Sequence, residues 1–433
     1  MSLKSASGTV WMWWLFCVGL LGGSLASADA TPTFTNFQQP VALVALGDGN
    51  YQIGFDGPMV IVGQRLVVRV GKTFDAGQLI GIRGLKPSVQ DLYRSQWLHY
   101  VALDLDDNAD WVTLMERVAA LPGVELVQPD VLYLGDRRAA TKQAQPVDIR
   151  PLPASVLQQF EVFQPASAGR GVRVALIDDG FDWRHSRLSQ VQPVFQYDVN
   201  SRQLDARPRN SIDRHGTAIA TVLFAAPWQM GDQKLAGLIP EAGLIAIRQP
   251  DTWTSNTLLA FQLAVMAGAE VINCSWNSGV LVQPVADVVR DLAIYGRHGF
   301  GLPVVFAAGN EGSLIQPDSS EASIAEALVV GAVDANGAPA AFSNYGPSLD
   351  VAAYGMGVTT AAPGQQYQIL KGTSLAAPLV TAALAMQLSK NPDLDLDDLQ
   401  KNLQTVFAVP AAMAATEPLP AAGGSNQVSE YRP

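Results

Sequence analysis

Cysteine is nearly missing. Only Cys17 and Cys274 among 433 residues carry a thiol, too few for a disulfide framework. Charge is scarce as well, at 15% of residues, and it leans acidic, with 28 Lys plus Arg against 39 Asp plus Glu. A net charge of −11 repels phosphate backbones and anionic lipid, which excludes a general nucleic-acid binder and disfavours an acidic membrane surface. Past the N-terminal segment no stretch approaches the roughly 18 uninterrupted apolar residues of a spanning helix, so the body of the chain reads as soluble. Gly and Pro, at 38 and 27 residues, are near average abundance and leave no room for collagen-like or low-complexity readings. Apolar material is plentiful. At 48% hydrophobic the chain is far from the composition of disorder and holds enough for two or three domains.

The first 30 residues carry Lys4, an apolar run from Val10 to Leu21 and small residues ending Ala26-Ser27-Ala28-Asp29-Ala30. That pattern predicts an export signal cleaved after Ala28 or Ala30, and a periplasmic or extracellular protein. An uncleaved segment would be a membrane anchor instead. Residues 31–135 form a separate region. Arg65–Val70 and Leu98–Leu105 have strand character, Asp110–Leu121 places Trp111, Leu114, Met115, Val118 and Leu121 at helical spacing, and Val124–Leu134 returns to strand. A small α+β sandwich is expected there. Residues 136–168, rich in Arg, Gln, Ala and Pro, read as an exposed linker. Over 169–409 strands alternate with helical patterns, which predicts a mostly parallel sheet with helices on both faces. The last stretch, 410–433, reads as a loose tail.

Four short segments carry chemistry, each at a strand end or a helix start. Val174-Ala-Leu-Ile-Asp178-Asp179-Gly180 runs an apolar strand into two carboxylates. Asp213-Arg-His215-Gly216-Thr217 opens a helix. Ala307-Ala-Gly309-Asn310 ends a strand, and Gly372-Thr-Ser374-Leu-Ala-Ala-Pro378 starts an Ala-rich helix. Acyl transfer needs these residue types together. A serine hydroxyl is a weak nucleophile at neutral pH, an imidazole must take its proton, and a carboxylate must fix the imidazole's tautomer. The oxyanion needs preset donors, for which the Asn310 amide and the Ser374 backbone N–H are candidates. Strand alternation selects Asp178 over Asp179, since the residue ending the apolar run points to the cleft.

These motifs resemble those of the subtilases, serine peptidases of the subtilisin superfamily, whose Asp, His, Ser order the chain shares. The resemblance covers Gly171 to Met386, about half the chain. It implies a three-layer subtilisin-like α/β catalytic domain in which Asp178, His215 and Ser374 form the triad and Asn310 helps hold the oxyanion. Ala341-Phe-Ser-Asn-Tyr-Gly346 is similar to a family turn, and Val271-Ile-Asn-Cys-Ser-Trp276 to the strand along which substrate lies. The region before Gly135 stands where the family has its propeptide, a ferredoxin-like chaperone and inhibitor. A zymogen follows, with maturation between Leu134 and Ala168, peptide or protein substrates and its own propeptide as intramolecular inhibitor. Asp179, Ser275-Trp276 and Gly296-Arg-His-Gly299 are similar to the kexin branch, yet the acidic residues that kexins place after this strand are missing, so dibasic specificity does not follow.

Of the four histidines, His99 and His298 read as structural or surface residues. His185 resembles a family turn, and only His215 has Gly-Thr and a helix behind it. Asp213 reads as helix-start charge, and Cys274 as a small buried hydrophobe. The acidic run Asp393–Asp398 lacks the glycine and terminal glutamate of a defined calcium loop, so metal ligands stay unassigned. The chemistry asks for no cofactor. Two other readings stay open: a scaffold impaired by Ala218, Asn277 and Tyr354 and used for protein binding, and a membrane-tethered processing protease.

Overall fold

The structure, a computed structural model, describes residues 31–134, 150–163, 168–230, 233–417 and 419. The expected export segment, most of the expected linker and most of the tail lie outside the described residues. No helix among the described residues is long and apolar enough to cross a membrane.

The front part is one antiparallel sheet. It is built from β1 (Thr33–Asn36), β2 (Gln39–Gly47), β3 (Asn50–Ile53), β4 (Met59–Val70), β5 (Leu85–Arg94), β6 (His99–Leu105) and β7 (Val124–Tyr133), with helix α1 (Trp111–Ala119) between the last two strands. Four strands lie in the order β7-β4-β6-β5. That is the order of a ferredoxin-like sandwich, with its first crossover reduced to one 3-10 turn at Ala76–Leu79. The reason is composition: Gly71, Gly77, Gly81 and Gly84 punctuate that connection and disfavour a helix. Helix α1 keeps the predicted face, burying Trp111, Leu114, Met115 and Val118, and Asp110 caps it by accepting from Val112 and Thr113 N–H. The hairpin extension β1–β3 was not foreseen; its short strands join the N-terminal half of β4.

The larger part centres on a seven-stranded sheet in the order β16-β15-β14-β13-β8-β12-β9, with every pair parallel. Its strands are β8 (Arg173–Asp178), β9 (Phe195–Asp198), β12 (Gly243–Arg248), β13 (Val271–Cys274), β14 (Val304–Ala307), β15 (Leu328–Val333) and β16 (Val351–Tyr354). Two hairpins, β10 (Trp228–Met230) with β11 (Gln233–Leu235) and β17 (Val358–Ala362) with β18 (Gln366–Leu370), stand apart. Side chains alternate between two cores. Val174 and Leu176 of β8 face the core of α3 (His215–Phe224) and α6 (Thr373–Lys390), while Ala175 and Ile177 face that of α4 (Thr254–Met266) and α5 (Gln283–Tyr295). Being covered on both faces explains why these strands read as continuous apolar runs.

Two expectations need correction. The linker is shorter than 136–168, because α2 (Ala154–Gln159) and the 3-10 turn after it bury Val156, Phe160 and Phe163, the latter two ringing Phe407. The tail begins later than 410. After α7 (Leu396–Gln404), the turn α8 (Ala411–Ala414) buries Met413, whose carbonyl accepts from Gly346 N–H.

From Pro32 onward the chain packs as one unit. The front sheet covers α4 and α5 and completes both helix starts, which carry no capping side chain of their own. Asp130 of β7, fully buried, accepts from Ser255 N–H at 2.9 Å and Ser255 Oγ–H at 2.6 Å. Asn36 accepts from Gln283 N–H at 2.7 Å. Along α5, Tyr100 and Arg69 donate to Asp287 at 2.7 and 2.9 Å, and Tyr93 donates to Asp291 at 2.7 Å. Asp130→Ala should therefore leave the start of α4 without acceptors, at about 1–2 kcal/mol. Amide hydrogen exchange over 255–257 is expected to quicken at least about fivefold; unchanged exchange would show that the cap contributes nothing.

Candidate active site

Strand β8 ends in Asp178, whose side chain is 1% exposed at the C-terminal edge of the sheet. Here β12 lies to one side and β13 to the other, which makes this the crevice where open parallel sheets bind ligands. Both Asp178 carboxylate oxygens lie 3.0 Å from Nδ1 of His215, the first residue of α3. An acceptor at Nδ1 puts the neutral imidazole's proton there and leaves Nε2 as the basic nitrogen. Gly216 is needed for this approach, since a Cβ there would stand 2.6 Å from the Gly180 carbonyl and 3.0 Å from Asp178 Cβ.

Asp179 has a different task. Its carboxylate accepts from the backbone N–H groups of Arg214, His215 and Gly216 at 3.1, 3.0 and 2.8 Å. Arg214, the residue before α3, offers no side-chain cap, so Asp179 caps the helix from across the crevice. One carboxylate thus holds the imidazole, and its neighbour holds the backbone that carries it.

The loop entering α3 is pinned from below by charge. Arg248, opposite Asp178 in the β12–β8 register, donates to Asp198 at 2.9 Å and to Asp213 at 2.6 Å, all three buried. Asp213 also accepts from Arg209 and Asn210 N–H at 2.8 and 3.1 Å. It is a buried ion-pair partner, not the helix-start charge expected. An arginine closing the apolar strand Gly-Leu-Ile-Ala-Ile-Arg was the only sequence signal for this network.

Ser374 lies in the first turn of α6, half-buried, and its hydroxyl donates to the Ser275 carbonyl at 3.0 Å. Asn310 follows β14, and its Oδ1 accepts from Thr373 N–H at 2.8 Å and Thr373 Oγ1–H at 3.1 Å. With Oδ1 so held, Nδ2 is the amide's remaining donor on an exposed side chain. Gly372 makes room for this contact: its φ is +116°, and a Cβ would stand 2.9 Å from Asn310 Oδ1. The helix start adds the positive end of its dipole. Asn344, in the turn after β15, keeps the loop beyond Asn310 in place by accepting from Glu311 and Ser313 N–H at 3.1 and 3.0 Å.

The other expected residues are structural. His185 is buried, its Nε2 lies 2.9 Å from the Gln366 carbonyl, and Nδ1 accepts from Arg187 N–H. Burial holds its pKa below the usual histidine value. His99 lies 2.6 Å from Asp91 on the front sheet, His298 sits in a 3-10 turn, and Cys274 is buried. Asp395 of the acidic run caps α7 by accepting from Asp398 N–H. Among the described residues no three His, Cys, Asp or Glu side chains gather as a metal site.

Glu321 escaped the sequence reading. It is buried beneath the segment after β13 and accepts from Ser278 N–H at 2.6 Å and Ser278 Oγ–H at 2.8 Å. Burial pushes its pKa from 4.5 up to about 7. A carboxyl raised in the folded state contributes stability that is complete below its unfolded pKa and lost as pH rises through the folded value. The loss here runs from pH 4.5 to about 7 and amounts to about 3 kcal/mol. Glu321→Gln should flatten the fall in Tm between pH 5 and 8, leaving the smaller slope of Asp350, which burial pushes up to about 6. Parallel wild-type and mutant curves would count against Glu321 as the source.

Comparison with known proteins identifies the larger part. Residues 169–416, more than half of the chain, match the model of the subtilase family. Subtilisin E of Bacillus subtilis (strain 168) is 30% identical over 270 residues, 61% of this chain and 67% of that protein. The thermophilic serine proteinase of Bacillus sp. (strain AK1) is 33% identical over 226 residues, 51% of this chain and 53% of that protein. A solved cold adapted subtilisin-like serine proteinase aligns at TM-score 0.47 and 20% identity over 58% of this chain and 88% of its own. The chain belongs to the subtilase family and is a serine-type endopeptidase.

Proposed function

We propose that Ser374 is the nucleophile of this peptidase, His215 its general base, Asp178 the carboxylate that orients the imidazole, and Asn310 with the Ser374 N–H the oxyanion site. The observation that carries the reading is the 3.0 Å contact of Asp178 with His215 Nδ1, which leaves Nε2 to accept a proton. For this step the Ser374 hydroxyl, which donates to the Ser275 carbonyl at 3.0 Å, has to leave that acceptor and give its proton to Nε2. Oγ then bonds to the peptide carbonyl carbon, its proton passes to His215, and the carbonyl electrons go to the oxygen facing Asn310 Nδ2. Collapse breaks the C–N bond, and His215 gives the proton to the departing amine. Water, deprotonated by His215, hydrolyses the acyl-enzyme and restores Ser374.

The front sheet is read as the propeptide and intramolecular inhibitor, and the protein as an exported zymogen matured between Leu134 and Ala168. The caps that the front sheet lends to α4 and α5, and Tyr133 standing against Gly279 beyond β13, support that reading. A fluorophosphonate is the test of the site. It should label wild type and leave Ser374→Ala unlabelled, while intact mass and N-terminal sequencing of the two proteins report maturation.

A further inference from the structure

The pairing of β13 with β14 ends at Cys274 and Phe306, and the Ser374 hydroxyl reaches the segment beyond β13 at the Ser275 carbonyl. Asn310 stands on the segment beyond β14. A peptide carbonyl attacked by Ser374 and held by Asn310 is flanked by both segments, so the side chain next to it must enter between 275–277 and 308–310. Asn277 crosses that space. Its Nδ2 donates to the Ala307 carbonyl at 3.3 Å and lies 3.0 Å from where a Cβ on Gly309 would stand. Glu311 Oε2 is 2.6 Å from the same point, and Asn344 Nδ2 is nearer still. Glu311 Oε2 accepts from Asn344 Nδ2–H at 2.6 Å, and the same amide donates to the Ala308 carbonyl at 3.1 Å.

The residues on either side of Asn277 are anchored. Trp276 Nε1–H donates to the Ile177 carbonyl at 2.8 Å, and Ser278 N–H donates to buried Glu321 at 2.6 Å. We infer that Asn277 fills the acyl-side recess and makes this peptidase selective for glycine or alanine at the residue whose carbonyl is attacked. The inference rests on the assignment of Ser374 as nucleophile. A larger side chain must break the Asn277–Ala307 contact and displace the Asn277 side chain from an anchored segment, which lowers reactivity by at least about tenfold.

Peptide esters carrying Gly, Ala, Leu or Phe at the acyl position test it, with kcat/KM expressed per fluorophosphonate-titrated site. Wild type should favour Gly and Ala over Phe by at least about tenfold. Asn277→Gly, with Asn277→Ala as a second variant, should raise the Phe ester about tenfold or more and leave the Gly ester within about threefold. A wild type that prefers Phe, or variants whose Gly-to-Phe ratio does not move, would overturn the inference. Should neither variant label, the wild-type profile decides. A wild type that fails to label at Ser374 overturns the nucleophile assignment itself, whereas a labelled enzyme with a flat profile overturns the recess alone.

Discussion

Replacing Ser374 with alanine is expected to lower peptide turnover by about a millionfold, the scale set when the nucleophile of a subtilisin is removed. The size follows from what the side chain does. The Asp178–His215 pair activates nothing unless a hydroxyl stands between imidazole and carbonyl, so the loss should match that of removing the whole triad. The residual rate over water, about a thousandfold or more, would come from Asn310, the start of α6 and substrate binding. Turnover within about tenfold of wild type would place the chemistry elsewhere. The same variant should keep the bond between front and catalytic parts intact if maturation is autocatalytic. Processed chains in Ser374→Ala preparations would point to a partner protease.

Asn310→Ala is expected to reduce kcat by about a hundred- to a thousandfold with little change in KM. The oxygen of this amide is already held by Thr373, so its Nδ2 is aimed before substrate arrives. A preset donor strengthens as charge develops on the carbonyl oxygen, and an interaction made mainly in the transition state appears in kcat. The substitution also strands the Thr373 N–H at the start of α6, at a stability cost of about 1–3 kcal/mol. Thermal unfolding separates that cost from catalysis. A fall in kcat below about threefold would mean that the oxyanion is stabilised by other donors.

The catalytic sheet could be read from the chain because its strands are covered on both faces and so appear as short apolar runs between helical patterns. The proposed site residues stand out in the sequence in the same way, since Asp178, His215, Asn310 and Ser374 each lie at or just past a strand end or in the first turn of a helix. Less visible was whatever depends on distant partners. Asp179 caps a helix that begins 36 residues later in the chain. Arg248, Asp198 and Asp213 are far apart in the chain, and the ion pairs that join them are not visible from the surroundings of each. Glu321 is polar by composition, and only folding buries it. Val156, Phe160 and Phe163 did have helical spacing, but the Pro and Ala around them masked it. The extension β1–β3 has strands of four residues at either end, too short for alternation to mark them.

The borrowed helix caps have one more implication. While the backbone is continuous, Asp130 and Asn36 meet Ser255 and Gln283 within one molecule, an encounter that does not depend on protein concentration. Cutting the chain anywhere between 134 and 168 leaves each of these bonds as it was but turns the encounter bimolecular. Whether the severed part lets go is then decided by dilution, and with it, if the front sheet is the inhibitor proposed above, whether the cleft opens.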